Sequence, residues 1–336
     1  MKKIKNFFKK IFNFLKKIPS KLKTIDKTFL KIVLFCLILL LIVLFVPKLT
    51  NYKKPNANIL LILEAVEPMD GLMHWQIELD NRAKTATVLV TKDLAEKYTD
   101  FFINMHSRGY TLVGYSTQDF WKKSYTEQLK IIQDTKDVFN NLLEIDMTMF
   151  ATKNFSYNID TLKIAQDLGI EYIFKRGTTK ENAIIYDLKD YDVNLISLSN
   201  VIDSNLNSTP ISDYDLYVRG ADIVEWEKHI NNSITKKAKS ISIISNSYLG
   251  GTKKAFWDIY WLLLRSNHVD INDFETWESK TNKISLKNIE VPINKDDGFK
   301  KVYYTPISEL EDVRDVSRYK TNPQAKGDCP IGTYCY

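Results

Sequence analysis

FATKNFSYNIDTLKIAQDLGIEYIFKRG, residues 150–177, carries a turn, a helix, a second turn and a strand with their punctuation in place. Asn154, Ser156 and Asn158 are turn and cap formers. Behind them Leu162, Ile164, Ala165 and Leu168 recur at helical spacing, and Gly169 stands where a left-handed helix cap belongs. The spacing predicts a helix over 159–168. Residues 171–174 then alternate, with aromatic and branched side chains, as a short buried strand does.

Outward from this unit the same alternation continues. Strands are predicted near 59–63, 86–90, 111–115, 147–151, 194–198 and 240–245, and helices near 93–107, 125–143, 222–231 and 252–265. Ser124 and Glu127 form a capping box at the start of the second of these helices. Strands that alternate with helices imply an α/β fold with a parallel sheet and crossover helices. Were such a sheet closed into a barrel, its site would lie at the C-terminal ends of the strands.

SYNIDTLKIAQDLGIEYIF resembles the third motif region of the polysaccharide deacetylase family, a Ser-Tyr-Asn-x-x-Thr-Leu helix ending in Leu-Gly before a Tyr-Ile strand. Upstream, residues 85–120 look like the family's Ala-Thr-Phe-Phe-Val strand, its helix and its second-motif turn, and SYTEQLKIIQDTKDVFNNLL is similar to the next helix. The resemblance implies an irregular seven-stranded (β/α) barrel over residues 58–281. TKKAFWDIYWLLLRSNHVDINDF, residues 252–274, is similar to the closing helix and final strand. Phe256, Ile259, Tyr260, Leu263 and Leu264 form the inner face of that helix, and Trp257 and Trp261 either pack on the barrel or face a partner.

Family members hold a divalent metal, usually zinc, through an Asp and two His, with a second Asp as base. The first motif matches LLILEAVEP: in one alignment Glu64 and Ala65 replace the aspartates, and in the other Ala65 replaces an Asp and Glu67 is retained. The His-x-x-x-His motif matches Ser116 and Phe120. The third motif's Arg falls on Ala151, and the last motif's His on Ser245. The resemblance therefore implies a degenerate member with no metal ligand set. Two functions stay open at the barrel. One is a rebuilt carboxylate site, with Glu64, Glu67 and Asp119 as catalytic candidates beside Asp70 and His74 in the loop after the first strand; only then would zinc or another divalent metal be a cofactor. The other is binding of acetylated glycan without cleavage, through Tyr115, Ser116, Trp121, Asn154 and Ser245. Tyr110, Phe120, Phe155 and Tyr157 lie in or near the same loops; Phe155 and Tyr157 read as core and Trp121 as exposed.

The chain has 336 residues and a formal charge of +6. Residues 1–31 contain eleven Lys and one Asp, so the remainder is net acidic. The basic character belongs to a tail, which removes the electrostatic case for nucleic-acid binding by the main domain. In that tail Ile4, Phe7, Phe8, Ile11, Phe12, Leu15 and Ile18 mark an amphipathic helix suited to an anionic lipid surface.

IVLFCLILLLIVLFV, residues 32–46, is unbroken apolar and lacks a following small-x-small cleavage site, which predicts an uncleaved transmembrane helix. The lysine excess before it places the N-terminus in the cytoplasm and the rest outside, in the manner of a single-pass cell-membrane protein. Residues 47–57 read as a spacer and 282–336 as a C-terminal extension. Cys329 and Cys335 are either a small disulfide loop or two free thiols. A third function, a structural part in a membrane assembly, would use the amphipathic tail and the tryptophan helix as contacts.

Overall fold

The computed structural model describes residues 57–177, 182–202, 208–235, 240–286 and 307–313. The lysine-rich tail, the apolar run 32–46, the spacer up to residue 56, the strand-like run 302–304 and the two C-terminal cysteines lie outside the described residues. Among those described, no helix is long and apolar enough to cross a membrane.

Seven strands run parallel in one curled sheet. They are β1 (Ala57–Glu64), β2 (Thr87–Thr91), β3 (Thr111–Ser116), β4 (Met149–Thr152), β5 (Tyr172–Lys175), β7 (Asn194–Ser197) and β10 (Ser240–Asn246), in the order β10-β1-β2-β3-β4-β5-β7. Each lies on an expected strand, within a residue or two at its ends. Beyond β7 the sheet continues through β6 (Ile184–Leu188), antiparallel to it, and β12 (Lys283–Leu286), so it runs past the expected domain limit at 281. β11 (Val269–Asn272) pairs with the first half of β1, on the side where β2 pairs with the second half. A separate antiparallel pair, β8 (Asn200–Ile202) and β9 (Ser208–Pro210), follows β7.

The free edge of β10 is covered by irregular chain and not by a ladder. Ser199 and Ser242 each donate a backbone N–H to the other's hydroxyl, at 2.7 and 3.0 Å, and Ile244 N donates to Ile211 O at 2.8 Å. These contacts curl the sheet towards closure.

Both faces of the sheet are apolar, as crossover helices require. On β1, Ile59, Leu61 and Leu63 pack outward against the helices, while Leu60 and Ile62 point inward with Leu89, Val113, Phe174 and Ile196. The helices are α1 (Asp70–Asp80), α2 (Lys92–Lys97), α3 (Thr99–Ser107), α4 (Tyr125–Val138), α5 (Ile159–Asp167), α6 (Asp213–Val218), α7 (Ile223–Thr235), α8 (Ser247–Thr252), α9 (Lys254–Arg265) and α10 (Phe274–Ser279). Phe274 and Trp277 of α10 join the inner cluster, and Asn58 at the start of β1 donates to Trp277 O at 3.1 Å. α10 thus plugs the N-terminal end of the strands and leaves the C-terminal end for a site.

Three expectations change. The stretch after β1 is the helix α1 and not a loop, so His74 is buried, with Nδ1 2.6 Å from Gly251 O and its ring 4.2 Å from that of Trp257. The helix expected over 93–107 is two, broken at Tyr98, where φ is −124°. Trp121 is half-buried and not exposed. The capping box at Ser124–Glu127 forms, and a second one joins Asn158 to Thr161 at the head of α5.

Candidate functional site

Glu64 is the last residue of β1 and points to the inner side, in phase with Leu60 and Ile62. Its register partner across the ladder is Asn246, the last residue of β10. Asn246 Oδ1 accepts the N–H of Leu249 at 3.1 Å, capping α8, which leaves its Nδ2 to donate to Glu64. Tyr115, one residue from the end of β3, donates its hydroxyl to the same carboxylate. Glu64 is half-buried as a residue, with its carboxyl surrounded by protein.

Burial, and then the charge of Asp215, push the Glu64 carboxyl above the usual range, against the hydrogen bonds from Tyr115 and Asn246 and the nearby charge of Lys153. Burial beside Glu64 raises Tyr115 in turn, so its phenol remains a donor. The cluster offers one carboxyl, a second acid in Asp215, a phenol, an amide and an exposed ammonium. Such a set can fix the hydroxyls and amide of a polar ligand.

The loop after β3 adds a second group. Asp119 accepts the N–H of Trp121 at 2.8 Å and the Nδ2 of Asn154 at 3.4 Å. Asn154, exposed at a φ of 57°, lies in the turn after β4. Phe155 and Tyr157 of the same turn are buried, as their core reading expects. Ser116 is buried at the end of β3, where its Oγ accepts Gln118 N at 3.2 Å.

Two candidates lie elsewhere. The Glu67 carboxylate is bound by Lys97 Nζ and by Tyr98 OH at 2.6 Å, which hold it below the usual range at an exposed position. Ser245 is fully buried in phase with Ile241 and Ile243, on the outer face of β10. Its hydroxyl donates to Asp213 Oδ2 at 2.7 Å.

Asp213 also accepts Asn246 N at 2.8 Å, Tyr214 N at 2.6 Å and the Tyr260 hydroxyl at 2.9 Å. Burial nevertheless raises its carboxyl to about 7. Asn246, Asp215, Lys153 and Asp213 were not among the sequence candidates. Strand phase could have found Asn246, since the inward parity of Ser242 and Ile244 continues to it. Asp215 in SDYDL reads only as an acid in a helix's first turn.

Zinc, which the resemblance implies, takes imidazole, thiolate or carboxylate donors. Ser116 and Phe120, which the resemblance matches to the family's imidazoles, offer a hydroxyl and a phenyl ring, the latter buried with its centroid 5.9 Å from that of Phe150. Among the described residues no three of His, Cys, Asp and Glu come close enough to hold a metal ion. The residues present do not fit the group.

A family model described as polysaccharide deacetylase matches residues 79–173. No curated protein matches the chain. Among solved structures, a Mycobacterium smegmatis protein assigned to the polysaccharide deacetylases is 11% identical, with a TM-score of 0.54 over 71% of this chain and 96% of its own. A CE4 family pseudoenzyme from Bacillus anthracis is 11% identical over 69% of this chain and 71% of its own, with a TM-score of 0.46. A peptidoglycan deacetylase from Bacillus subtilis is 13% identical over 67% and 91%, with a TM-score of 0.44. At these identities the first shows the fold alone, and the other two add no argument. Residues 79–173 thus match the polysaccharide deacetylase model, and the curled parallel sheet that carries them shares its fold with a structure assigned to that family.

Proposed function

We propose that this chain is a degenerate polysaccharide deacetylase: a single-pass protein of the cell membrane, N-terminus cytoplasmic, whose exported domain binds acetylated glycan without cleaving it. The observation that carries the reading is the polar cluster around Glu64. Its carboxyl is held by Tyr115 and Asn246, and on this reading the buried Ser116 and Phe120 take the positions that the family gives to its metal-binding imidazoles. Hydrogen-bonding groups that fix a sugar are present there; a donor set for the family's metal is not. In the loops after β3 and β4 the half-buried Trp121, tied to Asn154 through Asp119, supplies the aromatic face of this reading.

Calorimetric titration of the detergent-solubilised full chain with an N-acetylglucosamine oligomer tests this. Binding is expected, weakened at least several-fold in Trp121→Ala and Asn154→Ala. Absence of binding by the folded wild-type chain would contradict it.

One observation favours a second reading, an active hydrolase with a rearranged carboxylate site. Glu64, raised by burial and by Asp215, has the character of a general acid. Hydrolysis that vanishes in both Glu64→Gln and Asp215→Asn would establish it.

A further inference from the structure

The end of the domain opposite Glu64 carries a feature that the glycan reading does not use. Ala57, the first residue of β1, pairs with Val269 and donates its N–H to His268 O at 3.0 Å. The segment that reaches His268 is the end of α9. There Trp261 lies partly open, with the guanidinium carbon of Arg82 4.4 Å from its ring centroid and that of Arg265 5.4 Å away. Leu262 beside it is 64% exposed. Arg82 is paired with Glu78 at 2.5 Å, but Arg265 meets no carboxylate among the described residues. An open indole, an exposed leucine and an uncompensated guanidinium therefore share the corner where the chain enters the domain.

Ten residues, 47–56, separate that entry from the apolar run 32–46. Fully extended they reach roughly 35 Å, so the corner stays within reach of the lipid in which the run would sit. Tryptophan and arginine are the side chains that settle at headgroup level, the indole body among the upper chains and the guanidinium on phosphate. We infer that Trp261, Leu262 and Arg265 form a contact for the phospholipid surface. The inference rests on the membrane-anchored reading given above.

The full chain, reconstituted in phosphatidylcholine and phosphatidylglycerol vesicles containing a headgroup-nitroxide lipid, provides the test through tryptophan fluorescence. Quenching is expected in the wild-type chain and in Trp121→Phe, whose site is at the other end of the strands. It should be lost in Trp261→Phe and reduced in Arg265→Glu, an exposed position where folding is not at stake. Retention of the chain after alkaline carbonate extraction, with equal quenching in Trp261→Phe or none in the wild type, overturns the contact alone. Release by carbonate overturns the anchor and the contact together.

Discussion

Glu64 and Asp213 are two carboxyls raised by burial on opposite faces of the same strand ends, and each makes stability depend on pH. A carboxyl raised on folding is protonated in the native state at a pH where the unfolded chain has already lost that proton. Stability therefore falls as pH rises between the two values. For Asp213 the window runs from the unfolded value of 3.8 to about 7. Over it the loss is a few kcal/mol, on the order of 1.4 per pH unit. Urea midpoints across that range should decline in the wild type and flatten in Asp213→Asn, whatever the absolute stability of the variant; an unchanged slope would remove Asp213 as the source.

Lys175 gives the opposite slope. It is 1% exposed, donates to Arg176 O at 2.8 Å, and burial lowers its amine from 10.5 to about 8. The unfolded chain holds that proton longer, so stability rises from about pH 8 upward. Lys175→Met should raise the stability at pH 7 by roughly 2–3 kcal/mol, as replacement of a buried charge that has no carboxylate partner among the described residues by an apolar chain does. A lower midpoint in the denaturation curve would count against this account of Lys175.

At the scale of elements, the regular ones were legible and the approaches between them were not. α5 follows from Leu162, Ile164 and Ala165 at helical spacing behind a cap, and the structure places all three in the core. α1 was missed because DGLMHWQIELD has a nearly unbroken apolar middle and no side-chain cap: buried residues surround the whole helix, so no single stripe marks it. The reason for that burial lies far away in the chain. α8 packs against α1 so closely that a methyl group on Gly71 would run into the backbone carbonyl of Ser247, and one on Gly251 into that of Gly71. An exposed helical Gly→Ala change stabilises by about 1 kcal/mol. Gly71→Ala should instead lower the thermal midpoint by several degrees, since backbone cannot yield as a side chain does. An unchanged or higher midpoint would mean that the two helices can separate at little cost.

For the whole molecule, alternation of strand and helix sufficed for the parallel sheet, and motif order for the likeness to the family whose model matches residues 79–173. The candidate site was only half legible. Glu64 and Tyr115 lie near the ends of strands whose inner face the sequence phase defines, Ser116 falls on the opposite face, and Asp119, Trp121 and Asn154 meet through loops that flank those strands. Asn246 and Asp215 reach Glu64 only because β10 lies beside β1, a neighbour relation that no local pattern encodes. Glu67 looked equivalent to Glu64 in sequence, yet the chain turns after β1 and gives its carboxylate to Lys97 and Tyr98.

The central claim is that these residues bind an acetylated glycan and leave it intact. It is tested most directly by measuring acetate released from an N-acetylglucosamine oligomer by the full chain, with zinc supplied and then chelated. The account predicts no release above the level of a heat-denatured control under either condition. Steady release that stops on chelation, or that disappears in Glu64→Gln, would contradict it and make the protein an enzyme.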